Sequence, residues 1–179
     1  MVRTFVAVDL PDDLRARIGG VAEALRESRA RLSFVDPALI HVTLAFLGEV
    51  PPERLPAVAG ALAGVRQPPF EVRVGPIAGD GRREPRTLWC PCTGNGSLAG
   101  LAAGVARALE PLGFTPERRP FRGHATVARV RSFHPSLGDL LADLPPDGFG
   151  AFTVDRFRLK QSTLTPSGPI YDDLSEVLL

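Results

Sequence analysis

The stretch Pro37-Ala-Leu-Ile-His41-Val-Thr43-Leu-Ala-Phe46 recurs as Pro120-Phe-Arg-Gly-His124-Ala-Thr126-Val-Ala-Arg129. Both read proline, three residues, histidine, one residue, threonine, an aliphatic residue and alanine. The offset is 83 positions for the proline, the histidine and the threonine, close to half of the 179-residue chain. Leu25 and Leu109, which close two helical patterns, lie 84 apart. Duplication is the simplest reading, each half delivering one His-x-Thr. It predicts an α+β fold of two pseudo-symmetric lobes, each an antiparallel sheet flanked by helices, with the histidines facing each other across a cleft.

The segments around the motifs follow one order in both halves. Thr4–Leu10 is rich in β-formers and reads as a strand, and Leu14, Ile18, Val21 and Leu25 then recur at helical spacing. A short loop carries Ser33-Phe-Val, and the first motif strand, Ile40–Leu47, ends at Gly48. Pro51-Pro52-Glu53 opens a helix through about Val65, and Phe70–Ile77 alternates as a strand. The polar link Gly79–Pro85 separates the halves. Thr87–Cys92 is then a strand, Ser97 caps a helix stopped by Gly113, and Gly123–Val130 is the second motif strand. A short helix around Leu137–Leu144, one long strand Phe149–Lys160, a turn at Thr165–Pro169 and a closing strand complete the order. The expectation is a single domain over 1–179, with halves of about 1–80 and 86–160 and a C-terminal strand at 170–179.

Side chains alternate along a strand, so His41, Thr43 and Ala45 are expected on one face and Val42, Leu44 and Phe46 on the other. The apolar face belongs on the helices. The same parity groups His124, Thr126 and Ala128, and small Ala45 and Ala128 would leave room for a ligand. Two imidazoles suit a displacement at phosphorus, one removing a proton from water while the other protonates the departing oxygen. Their ordinary pKa of about 6.5 keeps both forms accessible near neutrality. Each threonine can donate a hydroxyl hydrogen bond to a phosphoryl oxygen as charge builds there. A single strand histidine is more often structural; recurrence in register favours function. His134, before Pro135, stands outside that register and reads as a helix-entry residue.

Bulk properties narrow the classes. Net charge is +1, which excludes a globally basic nucleic-acid coat but not a local basic groove. Of the 21 basic residues all but Lys160 are arginine. Arg156, Arg158 and Lys160 alternate on one face, as a stripe tracking an RNA backbone or as a solvated face. Phe46 and Trp89 read as core, and Tyr171 is open as a base-stacking residue. Cys90 and Cys92 flank Pro91 and read as two buried thiols rather than a disulfide or metal pair. Carboxylate clusters, His-Glu-x-x-His spacing and a phosphate loop for ATP are all missing, so no metal and no cofactor is expected. No stretch approaches the roughly 20 apolar residues of a membrane span, and a cytoplasmic monomer is the default.

At these residues the chain resembles the 2H phosphoesterases, named for two His-x-Thr/Ser motifs. Among them it is most similar to the RNA 2′,3′-cyclic phosphodiesterases, or 2′-5′ RNA ligase-like proteins. The likeness also takes in Arg3–Pro11, His41–Gly48 and Ser162–Tyr171, so it spans essentially the whole chain. The resemblance implies a bilobal fold, no metal, and opening of a 2′,3′-cyclic phosphate on RNA or a nucleotide to a 2′-phosphate. His41 would protonate the leaving 3′ oxygen, His124 would activate water, and Thr43 and Thr126 would hold the phosphate. Arg129 also matches a family position as a phosphate ligand. Its parity, five residues after His124, points it to the opposite face as a structural ion-pair partner unless a bulge or the strand's end redirects it. Alternatives on the same fold are 2′-5′ joining of RNA ends, hydrolysis of a small cyclic phosphate, and non-catalytic capture of RNA ends.

Overall fold

The two motif strands lie side by side at the middle of one sheet. The computed structural model describes residues 1–115, 119–166 and 168–179; Ser167, inside the turn expected at Thr165–Pro169, lies outside the described residues. In chain order the strands are β1 Val2–Asp9, β2 Arg31–Phe34, β3 His41–Val50, β4 Phe70–Val74 and β5 Ala78–Gly79. They continue with β6 Thr87–Thr93, β7 His124–Ser132, β8 Gly150–Val154, β9 Arg156–Thr165 and β10 Gly168–Leu178. The α-helices are α1 Asp12–Ala22, α2 Leu55–Leu62, α3 Ser97–Leu109 and α4 Ser136–Asp143.

The sheet order is β10-β9-β1-β3-β7-β6-β4-β8, with β2 added to β7 and β5 to β6. Every pairing is antiparallel. The duplication maps β1 onto β6 and β3 onto β7, and by position in the sheet β9 and β10 on one side take the places that β4 and β8 take on the other. The sheet's centre is the pair Val42↔Ala125, which joins β3 to β7. The lobes are therefore halves of the sheet, and they are not halves of the chain. β4, late in the first half, pairs with β6 and β8 of the second, while β9 crosses back to pair with β1.

Expected and observed elements differ where pairing partners decide the outcome. The single strand expected over Phe149–Lys160 breaks at Asp155, because β8 pairs with β4 whereas β9 pairs with β1 and β10. The loop expected around Ser33 is strand β2, with Leu32 and Phe34 packed on the core. The helix expected to reach Val65 ends at Leu62.

One face of the sheet carries the core. Val6, Val8, Val42, Leu88, Ala125, Val127 and Leu159 pack there against Ile18, Leu25, Leu62, Leu101, Leu109 and Leu137 from the helical segments. Each such aliphatic side chain stabilises by about 1.5–3 kcal/mol when fully buried. Cys90 and Cys92 join this core as free thiols, as expected, and burial pushes the Cys92 thiol up to about 12. With the helices on one side, the opposite face is left for the motif side chains. Among the described residues, no helix is long and apolar enough to cross a membrane.

Candidate active site

Both motif histidines are anchored in the same way. His41 donates from Nδ1 to the Leu39 carbonyl at 2.7 Å, and His124 donates from Nδ1 to the Arg122 carbonyl at 2.8 Å. Leu39 and Arg122 keep the offset of 83. With Nδ1–H committed to a carbonyl, the lone pair of each neutral ring sits on Nε2. The Thr43 hydroxyl lies 3.1 Å from His41 Nε2 and donates to it in that tautomer. Leu39 is fixed in turn by a one-turn 3₁₀ segment, Pro37–Leu39, capped by Asp36.

The register sets how the two motifs meet. Extending the antiparallel pair Val42↔Ala125 by one step places His41 across from Thr126 and Thr43 across from His124. Histidine and threonine thus alternate at the corners of a square. The two histidines are diagonal neighbours, about 7–8 Å apart in a regular ladder and somewhat closer at Cβ. His41 accordingly feels the charge of His124. The square has the size and symmetry to take a tetrahedral anion at its centre, where all four side chains would meet it.

A bulge repeated in both halves then reverses the alternation. The β1–β3 ladder steps from Ala7↔Thr43 to Val6↔Ala45, leaving Leu44 extra. The β6–β7 ladder steps from Trp89↔Thr126 to Leu88↔Ala128, leaving Val127 extra, 83 positions after Leu44. Each bulge turns the following residues over. Ala45 and Ala128 therefore pack on the core and do not open space beside the histidines, contrary to the parity expectation. Phe46, expected in the core, is 74% exposed, with its ring 6.3 Å from that of Phe5. Arg129 comes round to the histidine face, which removes the parity objection, and its charge is felt by Tyr171.

Aromatic rings wall the site. His41 lies 5.0 Å from Phe5 and 5.4 Å, edge-on, from Tyr171. His124 lies 4.3 Å from Trp89, which is a wall of the site rather than the core residue expected. Burial lowers the pKa of His41; its bond to the Leu39 carbonyl and the Asp9 charge oppose this, and Lys160 and His124 add to it. Asp9 is the cross-strand partner of His41. Its Oδ2 receives Lys160 Nζ at 3.0 Å and Arg158 Nη1 at 2.6 Å. Burial pushes the Asp9 carboxyl up, yet these two cations hold it below the usual carboxylate range. Opposite His124 the corresponding residue is Pro91, so only His41 has a carboxylate neighbour of this kind.

The basic stripe is the other reversal. Arg156, Arg158 and Lys160 do share a face, but Asp155, Asp9, Asp173 and Glu176 neutralise them, with Lys160 Nζ 2.7 Å from Asp173. The structure thus brings together His41, Thr43, His124, Thr126 and Arg129. It adds Asp9, Phe5, Phe46 and Trp89, which sequence reasoning had not placed at the site, and Tyr171, which it had left open. Two adjacent apolar residues after each motif, Leu44-Ala45 and Val127-Ala128, were the signal for the bulges. His134 stands apart, its Nδ1 2.9 Å from Ser136 Oγ at the entry to α4.

A duplicated antiparallel α+β sheet with paired His-x-Thr strands defines a two-histidine phosphoesterase. The chain belongs to the LigT like Phosphoesterase family, whose model matches residues 8–89 and again 90–171. It is 38% identical to the RNA 2′,3′-cyclic phosphodiesterase of Archaeoglobus fulgidus over 176 residues, covering 97% of this chain and 98% of that one. Among solved structures it is similar to TT0787 of Thermus thermophilus, with a TM-score of 0.81, 31% identity and coverage of 99% and 97%. E. coli LigT complexed with 3′-AMP gives a TM-score of 0.81 at 27% identity, with coverage of 99% and 98%.

Proposed function

We propose that this protein opens the 2′,3′-cyclic phosphate at the end of an RNA or nucleotide to a 2′-phosphate, without a metal. The observation that carries the reading is the four-cornered array of His41, Thr43, His124 and Thr126, with both Nδ1 atoms anchored to carbonyls and His41 Nε2 meeting the Thr43 hydroxyl. The names of the relatives support the substrate class.

In the reaction, His124 Nε2 takes a proton from water as the water oxygen bonds to phosphorus. The bond from phosphorus to the 3′ oxygen breaks, and His41 Nε2–H gives that oxygen its proton. Proton exchange with solvent resets both rings. Thr43 and Thr126 donate to the non-bridging oxygens, and Arg129 balances their charge. Burial makes the His41 imidazolium a stronger and scarcer acid; the anionic phosphate beside it favours its protonation. Exposed Phe46 offers its face to the terminal base.

The test is a chelator-containing incubation with an oligonucleotide ending in a 2′,3′-cyclic phosphate, followed by identification of the hydroxyl that keeps the phosphate. A 2′-phosphate product is expected. A 3′-phosphate, or no turnover, defeats the reading.

A further inference from the structure

Beyond the bulge, β7 continues away from the histidines with arginines on the catalytic face. Arg129 pairs in register with Ser33 of β2, and Arg131 donates from Nε to Ser33 Oγ at 3.0 Å, which places both guanidinium groups on the side that Ser33 marks. Arg31, two residues before Ser33, stands opposite Ser132 at the end of the same ladder. Leu32, Phe34 and Val130 alternate onto the core behind them. Arg31, Arg129 and Arg131 are all exposed.

These cations contrast with those of β9. Among the described residues no carboxylate lies within ion-pair distance of Arg31, Arg129 or Arg131, whereas Arg156, Arg158 and Lys160 are each paired. Arg31, Arg129 and Arg131 thus form a short row of carboxylate-free cations along one line leading from Thr126. At about 3.3 Å per strand residue, Arg129 and Arg131 emerge roughly 7 Å apart, and Arg31 prolongs the line.

The geometry points to a track for the backbone of a single RNA strand: Arg31 and Arg131 hold phosphates upstream of the terminal cyclic phosphate, so that the protein prefers a cyclic-ended oligonucleotide to a mononucleotide. This rests on the cyclic-phosphate reading and gives it a polymeric substrate. Arg129 belongs to the terminal phosphate, and the two arginines beyond it serve only a longer chain.

The experiment compares kcat/KM for a 2′,3′-cyclic mononucleotide and for a pentanucleotide ending in 2′,3′-cyclic phosphate, across a salt series, in wild type and R31A/R131A. The wild type should favour the pentanucleotide, increasingly so as salt falls. The double variant should keep mononucleotide turnover within about twofold and lose about tenfold on the pentanucleotide. Its log–log salt slope should be shallower by about 1.4, which corresponds to two single-strand phosphate contacts. R31K/R131K, retaining the charge, should restore most of the preference and guards against a folding defect. Unchanged pentanucleotide turnover, or equal loss on both substrates, overturns the track alone. A wild type that opens neither substrate overturns the hydrolase reading and the track with it.

Discussion

Gly123, the residue before the second motif histidine, gives the sharpest structural prediction. A Cβ built there would stand 2.5 Å from the Cys92 carbonyl oxygen and 2.5 Å from Leu98 Cδ2. Ordinary contact begins near 3.4 Å, so Gly123→Ala needs close to 1 Å of relief. Leu98 can rotate only within a packed core, and the Cys92 backbone is tied to this residue by its N–H, which donates to the Gly123 carbonyl at 2.9 Å. Overpacking costs about 1–3 kcal/mol, and weakening that hydrogen bond adds about 0.5–1.5 kcal/mol. For a chain of this size the sum, about 1.5–4.5 kcal/mol, lowers Tm by about 3–18 °C. The strand must yield where Arg122 holds His124, and a displacement near 1 Å at a reacting group costs about 10²-fold in rate. Thermal unfolding followed by circular dichroism and turnover of a cyclic-phosphate substrate measure both effects. The reasoning is refuted if G123A melts with wild type and turns over normally. The equivalent position in the first half is Ile40, which is buried without conflict, so the restriction belongs to the second repeat.

Other outcomes follow from the same geometry. His41→Ala and His124→Ala should each lower turnover by about 10²–10⁴-fold while melting like wild type; near-normal rates in a folded variant would exclude that residue from the chemistry. Because burial lowers the His41 pKa and the ring must be protonated to act as acid, the alkaline limb of kcat/KM should fall below the ordinary histidine value of about 6.5. Asp9→Asn removes a charge that raises that pKa and leaves the charge of Lys160 acting on the ring, so the limb should move to still lower pH; an upward shift contradicts the assignment. Phe46→Ala should change stability by no more than about 0.5 kcal/mol yet raise KM about fivefold or more, as loss of a base-stacking contact does. A KM unchanged from wild type argues against stacking there.

What the sequence disclosed and what it withheld divide along physical lines. The duplication was legible because His41, Thr43, His124 and Thr126 keep a strict offset, and the apolar backs of both strands were legible from alternation. The strand exchange was not, because the alternation that runs through Phe149–Lys160 says nothing about which partner each part of it meets. Phe46 and Ala45 were misplaced by parity because one inserted residue turns every later side chain over. Adjacent Leu44-Ala45 and Val127-Ala128 marked the insertion. The stripe at Arg156, Arg158 and Lys160 looked free because its carboxylate partners, Asp9, Asp173 and Glu176, are remote in the chain or on the next strand.

The claim on which the account depends is that two imidazoles act in opposite senses on one phosphorus atom. The pH dependence of kcat/KM in wild type, H41A and H124A measures this directly. The account predicts a bell for wild type, loss of the alkaline limb in H41A and loss of the acid limb in H124A. If both limbs survive removal of either ring, the titrating groups lie elsewhere and the two-histidine mechanism is contradicted.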